Sequence, residues 1–325
     1  MRNFIIITIV LLCMICQMGC QEKSRTILAV KFENDSSIKY RMVSERNVET
    51  DLDGSAGKSK PTNISEKLEL VMSYSPVGPV EVYGITTMKA VCESAKVTRR
   101  GLKGKPSADV ADLLAGRSFN FTISPVGKVL DNSEMDALVL ELGNKSIKTS
   151  DRQGRMKSPD MIADFIALQK HLWDSVTSVP QGTVGAVKGQ TWKRLEYIPL
   201  PVPVRAAREI TYTLADGGPG QVEAEGAERK VEIQSTFALS DEKLPDWPRL
   251  YERGFRMQGM FGFLRNYKFK SLEGSGVQVF NVDSGIVESD EQEYRLLITA
   301  SFPAPLGDPP MLTIDQKLTI KLMAD

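Results

Sequence analysis

Histidine is almost absent from this chain, since His171 is the one imidazole among 325 residues. Zinc sites built on two or three histidines are therefore excluded, and a serine or cysteine triad could use only His171 as its base. Cysteine is also scarce. Cys13, Cys16 and Cys20 lie in the first twenty residues and only Cys92 lies beyond them. This distribution argues against a framework of disulfides.

The chain has no excess of charge of either sign. Lys and Arg total 41 and Asp and Glu total 41, so the formal net charge is zero. Because a nucleic-acid-binding protein needs a basic surface, the composition argues against DNA or RNA as a partner. The length of 325 residues suits two ordinary domains or one large β unit.

A single long hydrophobic run stands at the N-terminus. Residues 4–16 follow Arg2 and contain Thr8 as their one polar residue. The run is shorter than the roughly 20 apolar residues that a membrane-spanning helix needs. A positive charge followed by about a dozen apolar residues is typical of a secretory signal. We therefore predict that residues 1–19 are a signal peptide.

The end of this run resembles the bacterial lipobox. Gly19 and Cys20 match its small residue and its cysteine, whereas Gln17 departs from the aliphatic residue that the pattern prefers. The resemblance implies that the Cys20 thiol carries a diacylglycerol and that the mature chain begins there. It would then be lipid-anchored in the bacterial cell envelope, on the periplasmic or outer-surface side. A plain secretory cut and an uncleaved anchor are the alternatives.

The stretch LDGSAGKSK, residues 52–60, ends like a phosphate-binding loop. The Walker pattern requires a glycine where Leu52 stands, and a helix must follow the loop. Here Pro61 and a strand-like segment follow instead. We therefore predict a hairpin loop, and no nucleotide or other cofactor.

The sequence also contains a weak internal repeat. Gly116 and Gly127 are spaced like Gly274 and Gly285 (127 − 116 and 285 − 274), and apolar residues alternate with polar ones between the members of each pair. The two pairs are offset by the same number of residues (274 − 116 and 285 − 127). We therefore predict that a β-rich half occurs twice.

Apolar residues alternate with polar ones along both halves, as expected for half-buried antiparallel strands. Examples are Ile38, Tyr40, Met42, Leu68, Leu70, Met72, Tyr74, Ile210, Tyr212, Leu214, Tyr294, Leu296 and Ile298. The middle has helical spacing after Ser158-Pro159-Asp160, and a shorter helix is predicted at 133–142. The predicted fold is mainly β, with two similar halves (20–130 and 179–325), as curved sheets or half-barrels, joined by a helical connector (131–178).

Several segments resemble a family of uncharacterised bacterial lipoproteins whose domain has no assigned function. They are GRSFNFTISPVGKVLD, the stretch 180–192 and the later SGIVES and EYRLLIT. The resemblance implies a lipoprotein with a duplicated β-rich half. It implies no catalytic residue, metal ligand or cofactor.

Few side chains qualify as candidate site residues. On the helical spacing, His171 lies away from the apolar stripe, and we expect it to be exposed. Asp136 and Asp164 are expected on a solvated helix face, and Cys92 is expected to be a small core thiol. The sequence therefore predicts no catalytic residue and no metal site, and only lipidation at Cys20.

These observations leave three hypotheses for function. The first is a non-enzymatic binding or scaffold protein that carries an apolar ligand and is attached to the membrane by its anchor. The second is a structural module that contacts another envelope protein. The third is an envelope hydrolase with two carboxylates facing each other across a cleft. A cavity lined by strand residues would distinguish the first hypothesis from the second.

Overall fold

The structure is a computed structural model. It describes residues 25–32, 36–52, 62–78, 82–100, 109–148, 160–180, 185–202, 204–215, 228–242, 244, 259–303 and 308–324. The predicted signal peptide, Cys20 and most of the glycine-lysine-serine stretch lie outside the described residues.

The chain is mainly β, as the alternation of apolar residues predicts. The strands are β1 (Arg25–Thr26), β2 (Ile38–Asp51), β3 (Thr62–Pro76), β4 (Thr86–Arg100), β5 (Ser118–Ile123), β6 (Val129–Asp131), β7 (Ala186–Val187), β8 (Thr191–Tyr197), β9 (Ala207–Leu214), β10 (Lys230–Ser240), β11 (Arg265–Asn281), β12 (Ile286–Ser301) and β13 (Met311–Leu322). The helices are α1 (Ser133–Lys148), α2 (Asp160–His171), α3 (Asp174–Thr177) and α4 (Gly259–Phe263). Short 3-10 helices cover Val82–Gly84 and Val110–Leu114.

Eleven of the strands form one antiparallel sheet in the order β6-β5-β4-β3-β2-β13-β12-β11-β10-β9-β8, and β1 pairs with β7. The two predicted halves supply β2–β6 and β8–β13. They meet where β13 pairs with β2, from Met311 opposite Asp51 to Leu322 opposite Tyr40. Backbone hydrogen bonds therefore run without a break from one half into the other. The duplication itself remains a prediction.

The inner face of the sheet is apolar at the positions that the alternation predicts. On β3, Leu68, Leu70, Met72 and Tyr74 are at most 1% exposed. Their neighbours between them are only partly covered. A sheet with one buried and one solvated face is the arrangement expected for antiparallel strands.

Helix α2 lies inside the curve of the sheet. Residues 161–169 are all buried, and the helix contacts strands that are far apart in the strand order. Phe165 packs on Phe119 of β5, and His171 lies beside Glu196 of β8. Since β5 and β8 are near opposite edges, the sheet wraps around the helix. Within the described part of the chain, no helix is long and apolar enough to cross a membrane.

This enclosure overturns two predictions about exposure. His171 is 4% exposed and Asp164 is fully buried. The helical spacing located the apolar stripe of α2, but the sheet also covers the opposite side of the helix. A polar residue off the stripe is therefore buried against polar residues of the strands. Asp136 is partly exposed on α1.

The N-terminal segment 25–32 crosses one end of the curled sheet. The backbone N–H of Val30 donates to the Val126 carbonyl at 3.4 Å, and that of Lys31 donates to the Gly285 carbonyl at 3.1 Å. The two acceptors belong to the β5–β6 and β11–β12 turns. One short segment is thus bonded to a turn in each predicted half.

The predicted repeat sets Gly127 against Gly285 and Gly116 against Gly274. The first two glycines have the same backbone conformation, and the second two do not. Gly127 and Gly285 both adopt left-handed backbone, with φ of 87° and 70°. Added Cβ atoms would lie 2.4 Å from Val30 and 2.6 Å from Lys31. In the other pair, Gly116 has φ of 76°, whereas Gly274 lies inside β11 without a positive φ.

Candidate functional site

A cavity of about 1140 Å³ lies between the helices and both edges of the sheet. Its walls come from β5 and β6 at one edge, from β8 and β9 at the other, and from α1 and the end of α2. Small-molecule sites are commonly about 300–1,000 Å³ and mostly apolar, with a few polar groups that orient the ligand. This cavity is therefore large enough for a ligand with an extended chain.

Aromatic side chains form the apolar wall of the cavity. Trp173 lies two residues after the end of α2, and its ring stacks on Phe121 with centroids 5.7 Å apart. Tyr74 meets the same indole edge-on at 5.4 Å, and Phe119 lies beside Phe121 at 6.1 Å. Trp173 is 4% exposed and therefore packs as part of the core. Mutual packing of the rings holds this wall in place.

Charged side chains form a second wall, where the cavity is lined by His171, Asp174, Arg194 and Glu196. Together with the fully buried Arg208, which does not line the cavity, they form what we call the Glu196 cluster. His171 ends α2 and Asp174 begins α3. Arg194 and Glu196 are two residues apart on β8, so they share one face of the strand. Arg208 lies opposite Glu196 in the register of β8 with β9.

Contacts within the Glu196 cluster centre on one carboxylate. His171 Nδ1 lies 2.9 Å from Glu196 Oε2, and Arg208 Nη2 donates to the same oxygen at 3.2 Å. Arg194 Nη2 lies 3.2 Å from Asp174 Oδ1. Glu196 and Asp174 also share a side-chain hydrogen bond. Arg208 is fully buried, with its guanidinium carbon 4.4 Å from the centre of the Phe237 ring.

Burial and neighbouring charge separate the pKa values of these groups. Burial, followed by the charge of Glu196, raises the pKa of Asp174 to about 8. Burial would raise the pKa of Glu196, but His171 and Arg208 outweigh it and lower that pKa. Burial lowers the pKa of His171. These shifts favour the ionised form of Glu196, the protonated form of Asp174 and the neutral form of His171.

The Glu196 cluster leaves buried polar atoms without hydrogen-bond partners. His171 Nδ1 lies 2.9 Å from Glu196 Oε2, but neither ring nitrogen of His171 has a hydrogen-bond partner of ordinary geometry among the described residues. Arg194 Nε likewise has none among them. Unsatisfied buried atoms of this kind are uncommon and call for an explanation.

His171, Asp174 and Glu196 also have the composition of a metal site. One ligand atom from each lies within 4.8 Å of the others. However, Arg208 already pairs with Glu196 and Arg194 with Asp174, and a divalent cation would face both guanidinium groups at short range. The electrostatics of the cluster favour an acidic ligand group over a cation.

The carboxylates also bear on the hydrolase hypothesis. Asp174 and Glu196 are hydrogen-bonded to each other on one wall of the cavity. Glycosidases place two carboxyl groups on either side of the scissile bond, about 5–9.5 Å apart. This pair leaves no space for a substrate bond between its members.

A second buried group, the Arg46 cluster, comprises Ser44, Arg46, Glu66, Asp164 and Gln316. Arg46 donates to Asp164 Oδ2 at 2.9 Å and to Glu66 Oε2 at 2.7 Å. Ser44 and Gln316 donate to the other oxygen of Asp164 at 2.6 Å and 2.9 Å. The residues of this cluster do not line the cavity. They attach α2 to β2, β3 and β13.

Cys92 is buried, as predicted for a core thiol. Burial raises its pKa to about 12. A thiol that stays protonated at neutral pH is a poor nucleophile.

The sequence interpretation missed Glu196, Arg194 and Arg208, although a signal for them exists. Trp192, Arg194 and Glu196 alternate along β8, and Arg208 has the same parity as Ile210 on β9. Alternation therefore assigns these charges to the inner face of the sheet. Charged residues at core positions mark a buried polar site.

Comparisons with known proteins give little further guidance. No model of a protein family matches the chain, and no curated protein matches it. A solved structure that describes lipid–protein interactions in lipovitellin is similar at a TM-score of 0.41 and 12% identity. The similarity covers 90% of this chain and 26% of the lipovitellin chain. The chain thus spans about a quarter of that protein, and similarity at this level supports no inference about function.

Proposed function

We propose that this protein binds a molecule with a hydrocarbon chain, and that a lipid on Cys20 holds it at a bacterial envelope membrane. The observation that carries the proposal is the cavity of about 1140 Å³ with its aromatic wall. The proposal also takes the chain to be a member of the lipoprotein family that its sequence resembles.

The lining of the cavity favours an apolar ligand. Tyr74, Phe119, Phe121 and Trp173 contribute ring surface, and Met135 and Val139 of α1 contribute aliphatic surface. Removing apolar surface from water contributes about 25 cal/mol per Å², so each methylene placed against this wall favours binding. The cavity lies where the two edges of the sheet approach each other, so a long chain can enter from the side.

Native mass spectrometry of the full chain, released from membranes in detergent, tests this function with hexadecanol as the probe. The wild type should retain one probe molecule. Leu140→Trp should lose it, because Leu140 is a half-buried residue that lines the cavity and an indole there would occupy the space. Leu322→Trp is the matched control, since Leu322 is exposed at the end of β13 and does not line the cavity.

Two results would contradict the proposal. Wild-type protein that retains no apolar probe, but carries a second protein, would favour the contact-module hypothesis. Probe retention that Leu140→Trp leaves unchanged, while the variant unfolds like the wild type, would place binding elsewhere. The same spectra report the mass of the N-terminal residue, and a Cys20 without a diacylglycerol would refute the anchor.

A further inference from the structure

Part of the Glu196 cluster lines the cavity beside the aromatic wall, and other charged residues, Asp131, Asp136, Lys170 and Glu209 among them, line it elsewhere. A purely apolar ligand would leave the buried His171 Nε2 and Arg194 Nε without partners. Burying polar atoms without partners costs free energy, so their position suggests that the ligand supplies the missing group. We propose that the ligand is an acidic amphiphile whose acid group binds at His171 and Arg194. This inference rests on the proposed function.

The complementary group must both donate and accept a hydrogen bond. A carboxyl group does so, because its hydroxyl donates to His171 Nε2 and its carbonyl oxygen accepts from Arg194. Transfer of that proton to Nε2 gives a carboxylate and an imidazolium with the same two contacts. Glu196 lies 2.9 Å from Nδ1 and stabilises the protonated ring. An acid phosphate ester has the same donor and acceptor oxygens.

Charge distinguishes an acid from a neutral alcohol or an amine. Arg194 lines the cavity on the same wall as His171, so an anionic head group there would lie beside a guanidinium group. Burial keeps that attraction strong, because it is screened less than at the surface. An ammonium group would instead face the Arg194 guanidinium group. The expected order of affinity is therefore acid, then alcohol, then amine, for chains of equal length.

The position of the cluster fits the remainder of such a ligand. His171 ends α2 and Trp173 follows it two residues later, so the charged and aromatic walls adjoin at one point of the chain. A ligand with its acid group at His171 can lay its hydrocarbon chain along Trp173 and Phe121. Both walls thus bind parts of one molecule.

Competition among probes tests the inference directly. The full chain is incubated with an equimolar mixture of hexadecanoate, hexadecyl phosphate, hexadecanol and hexadecylamine, and the bound fractions are measured by native mass spectrometry. Hexadecanoate should exceed hexadecanol by about tenfold or more, the factor expected for one charge-assisted hydrogen bond. Preferential binding of hexadecyl phosphate over hexadecanoate would assign the site to phosphate esters within the same chemistry.

Variants of His171 and Arg194 test whether these residues cause the preference for an acid over an alcohol. His171→Asn keeps a polar atom near Glu196 but none at Nε2, and it should reduce the preference for acid over alcohol to about unity. His171→Gln, which restores a polar atom near Nε2, should recover part of it. Arg194→Gln should also remove the preference. Arg295→Gln is the control, because Arg295 pairs with Asp315 on the exposed face of the sheet.

The pH supplies a second readout that a merely structural role would not produce. Above the Asp174 pKa of about 8, a second carboxylate would oppose the acid group of the ligand. Binding of hexadecanoate should weaken there in the wild type and not in Asp174→Asn.

The outcomes separate the two proposals. If no hexadecyl probe binds, the proposed function fails. If all four bind equally and the His171 and Arg194 variants change nothing, the function stands and the acid-binding inference fails. Tight zinc binding that His171→Asn abolishes, without preference among the probes, would assign the cluster to a cation instead.

Discussion

Arg46 has no exposed side-chain surface, yet it carries a full charge. Its guanidinium group is bound by Glu66 and Asp164. Burial would raise the pKa of Glu66, but the charges of Arg46 and Arg99 outweigh it and lower that pKa. Burial raises the pKa of Asp164 despite the same arginine. Arg46 therefore balances the charge of the buried carboxyl groups on α2 and β3, Asp164 and Glu66.

Removing this arginine should be costly. Arg46→Met leaves the buried Asp164 without its cation and Glu66 with Arg99 alone, and breaking a buried pair in this way costs about 3–5 kcal/mol. The free energy of unfolding, measured by denaturant titration, should fall by that amount. Arg295→Met, which removes an exposed pair, should change the free energy of unfolding far less. Equal losses in the two variants would mean that the Arg46 cluster contributes no more than a surface pair.

At the scale of elements, the turns that hold the N-terminal segment depend on glycine. Gly127 has φ of 87° and no room for a Cβ beside Val30. Gly116 has φ of 76° but open space around it. The two positions share the backbone requirement and differ in packing, so they form a matched pair.

Alanine at the two glycines should therefore have different effects. Gly116→Ala should lower the free energy of unfolding by about 1–2 kcal/mol, because alanine is strained in left-handed backbone. Gly127→Ala has the same strain and also displaces Val30, so its free energy of unfolding should be lower still. Thermal or denaturant unfolding of both variants measures the difference. Equal destabilisation would show that segment 25–32 yields without cost.

The elements also show how far the sequence could predict the fold. Period-two alternation located the strands, because each has one face in the core. Helices were predicted at 133–142 and from residue 158, but α1 continues to Lys148 and α2 stops at His171, with α3 as a separate turn. The prediction that His171 is exposed was wrong, because the sequence of one helix does not show that a sheet surrounds that helix. The Glu196 cluster depends on β8 and β9 curling back towards α2, which no local pattern specifies.

At the scale of the whole molecule, the central question is whether the predicted halves act as separate units. The β2–β13 pairing joins them along all of β13 and from Tyr40 to Asp51 of β2. The edges of the sheet are the short strands β6 and β8. Stability should therefore be greatest at the junction and least beside the cavity.

Hydrogen exchange measured by mass spectrometry checks this expectation. Backbone amides of β2 and β13 should exchange last, and those of β6 and β8 first. Local opening is easiest where a strand has few buried contacts and a neighbouring strand on only one side. If β2 and β13 exchanged before β4 and β10, the halves would open as separate units, as an independent duplication allows.

If the protein is anchored at Cys20 as proposed, the crossing of segment 25–32 has a mechanical consequence. Tension applied at the N-terminus reaches Arg25 and Thr26 first, and their pairs with β7 carry it into the second half of the chain. It then reaches Val30 and Lys31, which are bonded to one turn from each half. The load is thus divided across the sheet at its point of entry, and the tether cannot be pulled free without breaking bonds to both halves.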